Sequence, residues 1–160
     1  MNYAFFKIIL LILLVFPLKG FSQCNDELID RAMVKIKDTK YLKTFKVVLK
    51  KGKGKHIPSR RYLVKMNKGS VYKFVIENDE ANKSPLILRI SDDLKVYGQT
   101  YDPVNDVDYM SFEFYCRRTQ NYYITAFYKD GKKGCGVAIM SLMGFHNLLP
   151  SQSMQMINNP

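Results

Sequence analysis

From 111 to 128 the chain reads SFEFYCRRTQNYYITAFY, and the spacing of its apolar residues decides the fold. Phe112, Phe114 and Cys116 continue a phase begun at Met110 and alternate with Glu113, Tyr115 and Arg117. After a polar break, Tyr122, Ile124, Ala126 and Tyr128 repeat the alternation. Every second side chain on one face is the mark of a pleated strand, whereas a helix would scatter these groups around its circumference. Aromatic and β-branched residues also suit such a half-buried surface.

The same period recurs on either side. Phe45, Val47 and Leu49 alternate with Lys46 and Lys50; apolar alternation returns over 62–66, at Tyr72, Phe74 and Ile76, at Leu86, Leu88 and Ile90, over 94–99, and at Cys135, Val137 and Ile139. Asn67-Lys68-Gly69, Ser91-Asp92-Asp93 and Asp130-Gly131 supply turn residues between them. The turn at 67–69 predicts a hairpin of its flanking strands, because Asn and Gly tolerate positive φ. About eight short strands with regular turns predict an all-β fold, an antiparallel β-sandwich of jelly-roll type. One short N-terminal helix precedes it, capped by Asn25 or Asp26 and running to about Lys37, with Leu28, Ile29, Ala32, Met33 and Ile36 at helical spacing.

Ahead of that helix, Met1 and Lys7 lead into an apolar run from Ile8 to Phe16, then Pro17, Gly20, Ser22, Gln23 and Cys24. This predicts a secretory signal peptide at 1–23, too short to span a bilayer. A sandwich domain at 24–142 and a loosely held tail at 143–160 complete the expected organisation. The mature protein is expected in the periplasm or at the surface of a bacterium, with no transmembrane span. Cys24 raises lipid attachment, against which Gln23 counts, since a lipoprotein signal has a small residue there.

Charge is unevenly spread. The chain holds 25 Lys and Arg against 14 Asp and Glu, but between Lys35 and Lys73 the only acid is Asp38. The segment 51–59, rich in Lys and Gly and closed by Pro58, reads as a flexible cationic finger, with Lys50, Lys51, Lys53, Lys55, Arg60 and Arg61 as candidate binding residues. Its partners would be an anionic envelope polymer, a glycan or a lipid headgroup, or a protein; nucleic acid is the least natural for an exported chain. Solvated strand faces that discourage edge pairing are the alternative source of these lysines. The glycines fit neither the dinucleotide nor the Walker phosphate pattern.

No catalytic constellation emerges. His56 and His146 have no Cys or carboxylate at zinc-ligand spacing, and a Gly-x-Ser-x-Gly elbow is missing. The sequence calls for no cofactor, with one exception: Asp102, Asn105, Asp106 and Asp108 in the 102–108 loop are oxygen donors suited to calcium, though not in the EF-hand pattern. Cys116 and Cys135 form the favoured disulfide in an oxidising compartment, with Cys24 joined to either as the rival. Tyr97, Tyr101, Tyr109, Tyr115 and Tyr123 fall in loops or on outward strand phases, as rigid contact area.

Asn67-Lys68-Gly69-Ser70-Val71-Tyr72-Lys73-Phe74, Leu86-Ile87-Leu88 before Asp92-Asp93, and Phe112-Glu113-Phe114 followed by Thr119-Gln120-Asn121-Tyr122-Tyr123-Ile124 carry a resemblance. Together 62–142 resembles the secreted β-sandwich modules of the bacterial pre-peptidase C-terminal (PPC) type and, more distantly, GOLD-type sandwiches. Gln120 stands where that family usually has a turn glycine, and the cysteines are not part of its pattern. The resemblance implies a secreted noncatalytic module and a late hairpin after Phe112-Glu113-Phe114. It transfers no binding residue.

The sequence thus predicts a noncatalytic binding module that uses its basic loop. A structural subunit assembling through sheet edges is the first alternative. An enzyme with an unrecognised site, near Tyr101 and Tyr109, is the second.

Overall fold

A computed structural model describes residues 26–54, 56–80, 82 and 84–145. The expected signal segment, Cys24, Lys55, His146 and most of the expected tail lie outside the described residues. Helix α1 (Asp26–Val34) is followed by β1 (Lys40–Leu49), β2 (Ser59–Met66), β3 (Ser70–Asn78), β4 (Leu86–Ser91) and β5 (Val96–Gln99). A small hairpin, β6 (Tyr101–Asp102) with β7 (Val107–Asp108), leads to β8 (Ser111–Tyr115), β9 (Gln120–Tyr128) and β10 (Gly134–Phe145). β10 therefore runs past 142, taking the first residues of the expected tail into the domain.

The eight long strands form two antiparallel sheets, which we term A (β1-β10-β3-β8) and B (β2-β9-β4-β5). Apart from β4 to β5, each successive long strand changes sheet, which gives the expected jelly roll. This corrects the hairpin expected at 67–69 and the late one between β8 and β9: each of those pairs is split between the sheets. β2 and β3 each carry one apolar face, Tyr62, Val64 and Met66 against Tyr72, Phe74 and Ile76. Facing one another across the core buries both sets. The turn is held by the neighbouring arch instead of its own ladder: Gly69 N–H donates to Cys116 O at 2.9 Å, and Cys116 N–H to Ser70 O at 3.0 Å. Lys68 N–H donates to Thr119 Oγ1 at 2.9 Å. Gly69, at φ 83°, supplies the bend.

Inward phases agree with the alternation on most strands: Phe45, Val47, Met66, Phe74, Leu88, Ile90, Phe112 and Ile124 are buried between the sheets. Each large apolar side chain so placed contributes about 1.5–3 kcal/mol. On β10 the phase is the reverse of the one expected, with Ala138 and Met140 facing the core and Cys135, Val137 and Ile139 on the outer side, because both faces of this strand are apolar and covered. Phe74 and Phe112 stack with ring centroids 5.2 Å apart. Tyr97, expected outward, instead packs edge-on against Phe114 and Tyr122 at 5.8 and 5.4 Å. An irregularity in the β4–β5 register between Ile90 and Ser91 shifts its phase.

Sheet A is covered on its outer side. Leu28 and Ala32 of α1, with Ile36 just beyond it, pack on Val75, Val137 and Ile139. Glu77, also under the helix, pairs with Lys35 Nζ and lies 3.8 Å from Arg31 Nε. No helix among the described residues is long and apolar enough to cross a membrane.

Candidate functional site

Two loops that are distant in sequence meet at one end of the sandwich. Gly52 N–H donates to Gly131 O at 2.9 Å, which ties the β1–β2 connection to the β9–β10 turn. A Cβ on Gly52 would lie 2.3 Å from His56 O and 2.8 Å from Pro58 Cδ, so the loop folds back over a position that only glycine fits. This corrects the expectation of a free finger: the segment is a pinned arch. Lys50, Lys51, Lys53 and Arg60 are exposed on it, and none is ion-paired among the described residues. The turn adds exposed Lys133, and Lys132 paired with Asp130 at 2.9 Å. The sequence gives no hint of these last two, since only the arch brings 132–133 beside 50–53.

The outer face of sheet B continues from this end. Arg61 on β2 and Arg89 on β4 both lie opposite Thr125 of β9, so the three share one cross-strand row. Arg61 sits over the Tyr123 ring at 5.0 Å and Arg89 over the Phe127 ring at 4.9 Å. Arg89 Nε also donates to Gln99 Oε1 at 3.0 Å, and Gln99 Nε2 donates to Tyr101 O at 2.7 Å. Neither guanidinium is ion-paired to a carboxylate among the described residues. Leu63 and Lys65 are exposed on the same face, opposite Tyr123 and Asn121. Arg89, Gln99, Tyr101 and Asp102 line a shallow open recess at the β5 edge. Asp93 bonds the Tyr123 hydroxyl and holds it above the usual phenol range.

The loop that holds the calcium candidates Asp102, Asn105, Asp106 and Asp108 carries a hydrogen-bond network of its own. Asp102 Oδ1 accepts from Val104 N–H at 2.9 Å, and its Oδ2 accepts from Asn105 Nδ2 at 2.6 Å. Asp106 pairs with Lys129 and accepts from the Tyr101 hydroxyl at 2.9 Å. The Asn105 amide lowers the Asp102 pKa and the Lys129 ammonium that of Asp106, while burial raises that of Asp108. No three His, Cys, Asp or Glu gather for a metal among the described residues. Tyr101 and Tyr109 stay half-buried beside this hairpin.

The favoured disulfide is likewise corrected. Cys116 is a free, buried thiol whose Sγ contacts Arg118 O at 3.1 Å and the Tyr122 hydroxyl at 3.6 Å. Cys135 is disulfide-bonded, but not to Cys116. Cys135 packs on the outer side of sheet A, beside the helix, whereas Cys116 lies in the core between the sheets. For the rival pairing, Cys24 lies outside the described residues.

No family model matches the chain. No curated protein matches it either. Among solved structures, it is similar to PliG of Aeromonas hydrophila, a periplasmic inhibitor of g-type lysozyme, with a TM-score of 0.48 and 9% identity over 64% of this chain and 87% of that one.

Proposed function

We propose that this domain is a secreted, noncatalytic module that binds an anionic envelope or extracellular macromolecule through the cationic end of its sandwich. The observation that carries the reading is the Gly52–Gly131 hydrogen bond, which holds two basic loops together at the end that carries Lys50, Lys51, Lys53, Arg60 and Lys133, none of them ion-paired among the described residues. Fixing them in folded loops lowers the ordering cost of binding. The resemblance to pre-peptidase C-terminal modules bears on the secreted, noncatalytic part of the reading and names no ligand.

Exposed charges act over a Debye length of about 8 Å at physiological salt, so affinity should fall steeply as salt rises. The test is binding to heparin and to vesicles rich in anionic lipid, at 50 and at 500 mM salt, roughly a threefold change in screening length. Binding that weakens at least tenfold with salt, and as much again in Lys51→Glu/Lys133→Glu, is expected. Affinity indifferent to both changes contradicts the reading.

A further inference from the structure

We propose that the ligand is a linear acidic polysaccharide which runs from the cationic end onto the outer face of sheet B, where Arg61 and Arg89 each take one of its carboxylates or sulfates. This rests on the reading above and names the ligand class.

Four features of the face support it. Arg61 and Arg89 stand on either side of Thr125 in one cross-strand row, two strand spacings apart, or about 9 to 10 Å between their backbones. That separation suits a chain in which every second sugar is charged. Each guanidinium rests on an aromatic ring, Tyr123 or Phe127, and Arg89 is further fixed by Gln99. Side chains held in this way lose less freedom on binding, and their N–H groups suit planar oxyanions. Neither is neutralised by an ion-paired carboxylate among the described residues. Finally, Asn121 and Lys65, paired across the strands, are exposed on the same face as hydrogen-bonding partners for hydroxyls.

The face also argues against a lipid occupant. A bilayer would meet the loops at 50–54 and 130–133, at one end of the sandwich, and leave the guanidiniums stacked over rings on the sheet face without a role. Vesicles and oligosaccharide therefore separate the two.

The experiment measures binding of a heparin hexasaccharide, and of anionic vesicles, to the wild type, Arg61→Gln/Arg89→Gln, Arg61→Lys/Arg89→Lys and Lys51→Glu/Lys133→Glu, each checked for an unchanged thermal melt. The proposal expects the hexasaccharide to lose at least tenfold in affinity with the Gln pair and severalfold with the Lys pair, which keeps charge but not the planar fork. Wild-type affinity in either pair overturns it. Vesicle binding that depends on the loops, without hexasaccharide binding, also overturns it and leaves the function above standing. Failure of the wild type to bind either probe removes both. Should the double variant melt early, the exposed single change Arg61→Gln carries the test, with about a threefold loss expected and none contradicting.

Discussion

The outer faces of the two sheets have met the same problem in opposite ways. On sheet A, Val75, Val137 and Ile139 are wholly buried beneath α1, and Glu77 is neutralised there by Lys35 and Arg31. On sheet B no helix among the described residues covers the corresponding surface, and Arg61, Leu63, Lys65, Tyr123 and Phe127 are partly or wholly exposed. An apolar face needs a cover, whereas arginines on aromatic rings make a face that is stable in water and still able to bind. The first face is structural, and the second is where an outside partner has room to act.

The largest effect expected from this difference is on stability. Ile139→Ala removes packing under the helix and should cost about 2–5 kcal/mol in urea unfolding. A cost near zero would break the distinction from the sheet A side. Glu77→Gln should cost less, about 1–2 kcal/mol, because the carboxylate is buried but Arg31 and Lys35 are 33% and 45% exposed and solvent screens the pair.

The core shared by both faces gives a pH test. Burial raises the pKa of Tyr122 and Tyr128 above the ordinary phenol value. A raised folded-state pKa means that this contribution is complete below about pH 10, the unfolded value, and is lost as pH climbs toward the folded values. Unfolding followed from pH 8 to 12 should show a falling alkaline limb, and Tyr128→Phe should flatten it; a limb unchanged by that substitution contradicts the assignment. Smallest of all, Leu63→Ala on the open face should alter stability by no more than about 0.5 kcal/mol. A loss as large as that of Ile139→Ala would mean that something covers sheet B.

Thiol chemistry sharpens the same map. Iodoacetamide should leave Cys116 and Cys135 unmodified in the native protein and should modify Cys116 but not Cys135 after denaturation without reductant, as read by peptide mass. Labelling of Cys135 in that sample would contradict its disulfide.

Strand positions and most phases were legible in the sequence because alternation is a local property: Phe112 and Phe114, or Tyr122 and Ile124, carry it within a few residues. On β10 it misled, because Val137 and Ile139 are as apolar as Ala138 and Met140 and both faces are covered. Partners were not. Asn67-Lys68-Gly69 requires a sharp bend whether the next strand lies alongside or across the core, so turn chemistry alone could not separate hairpin from arch. Tyr97 was misplaced for a related reason, since one register slip reverses every face after it. At the candidate site, Lys50, Lys51, Lys53, Arg60 and Arg61 were visible as a basic run. Lys132, Lys133 and Arg89 were not, because the crossing arch and the sheet register bring them into place over long sequence separations.

The most direct measurement is a backbone amide shift map of the labelled protein titrated with heparin hexasaccharide. The account predicts perturbations at 50–54, 59–65, 89, 121–127 and 130–133, with the amides of α1 and of Val75, Val137 and Ile139 unmoved. Shifts concentrated on α1 and the strands beneath it, with sheet B silent, would contradict it.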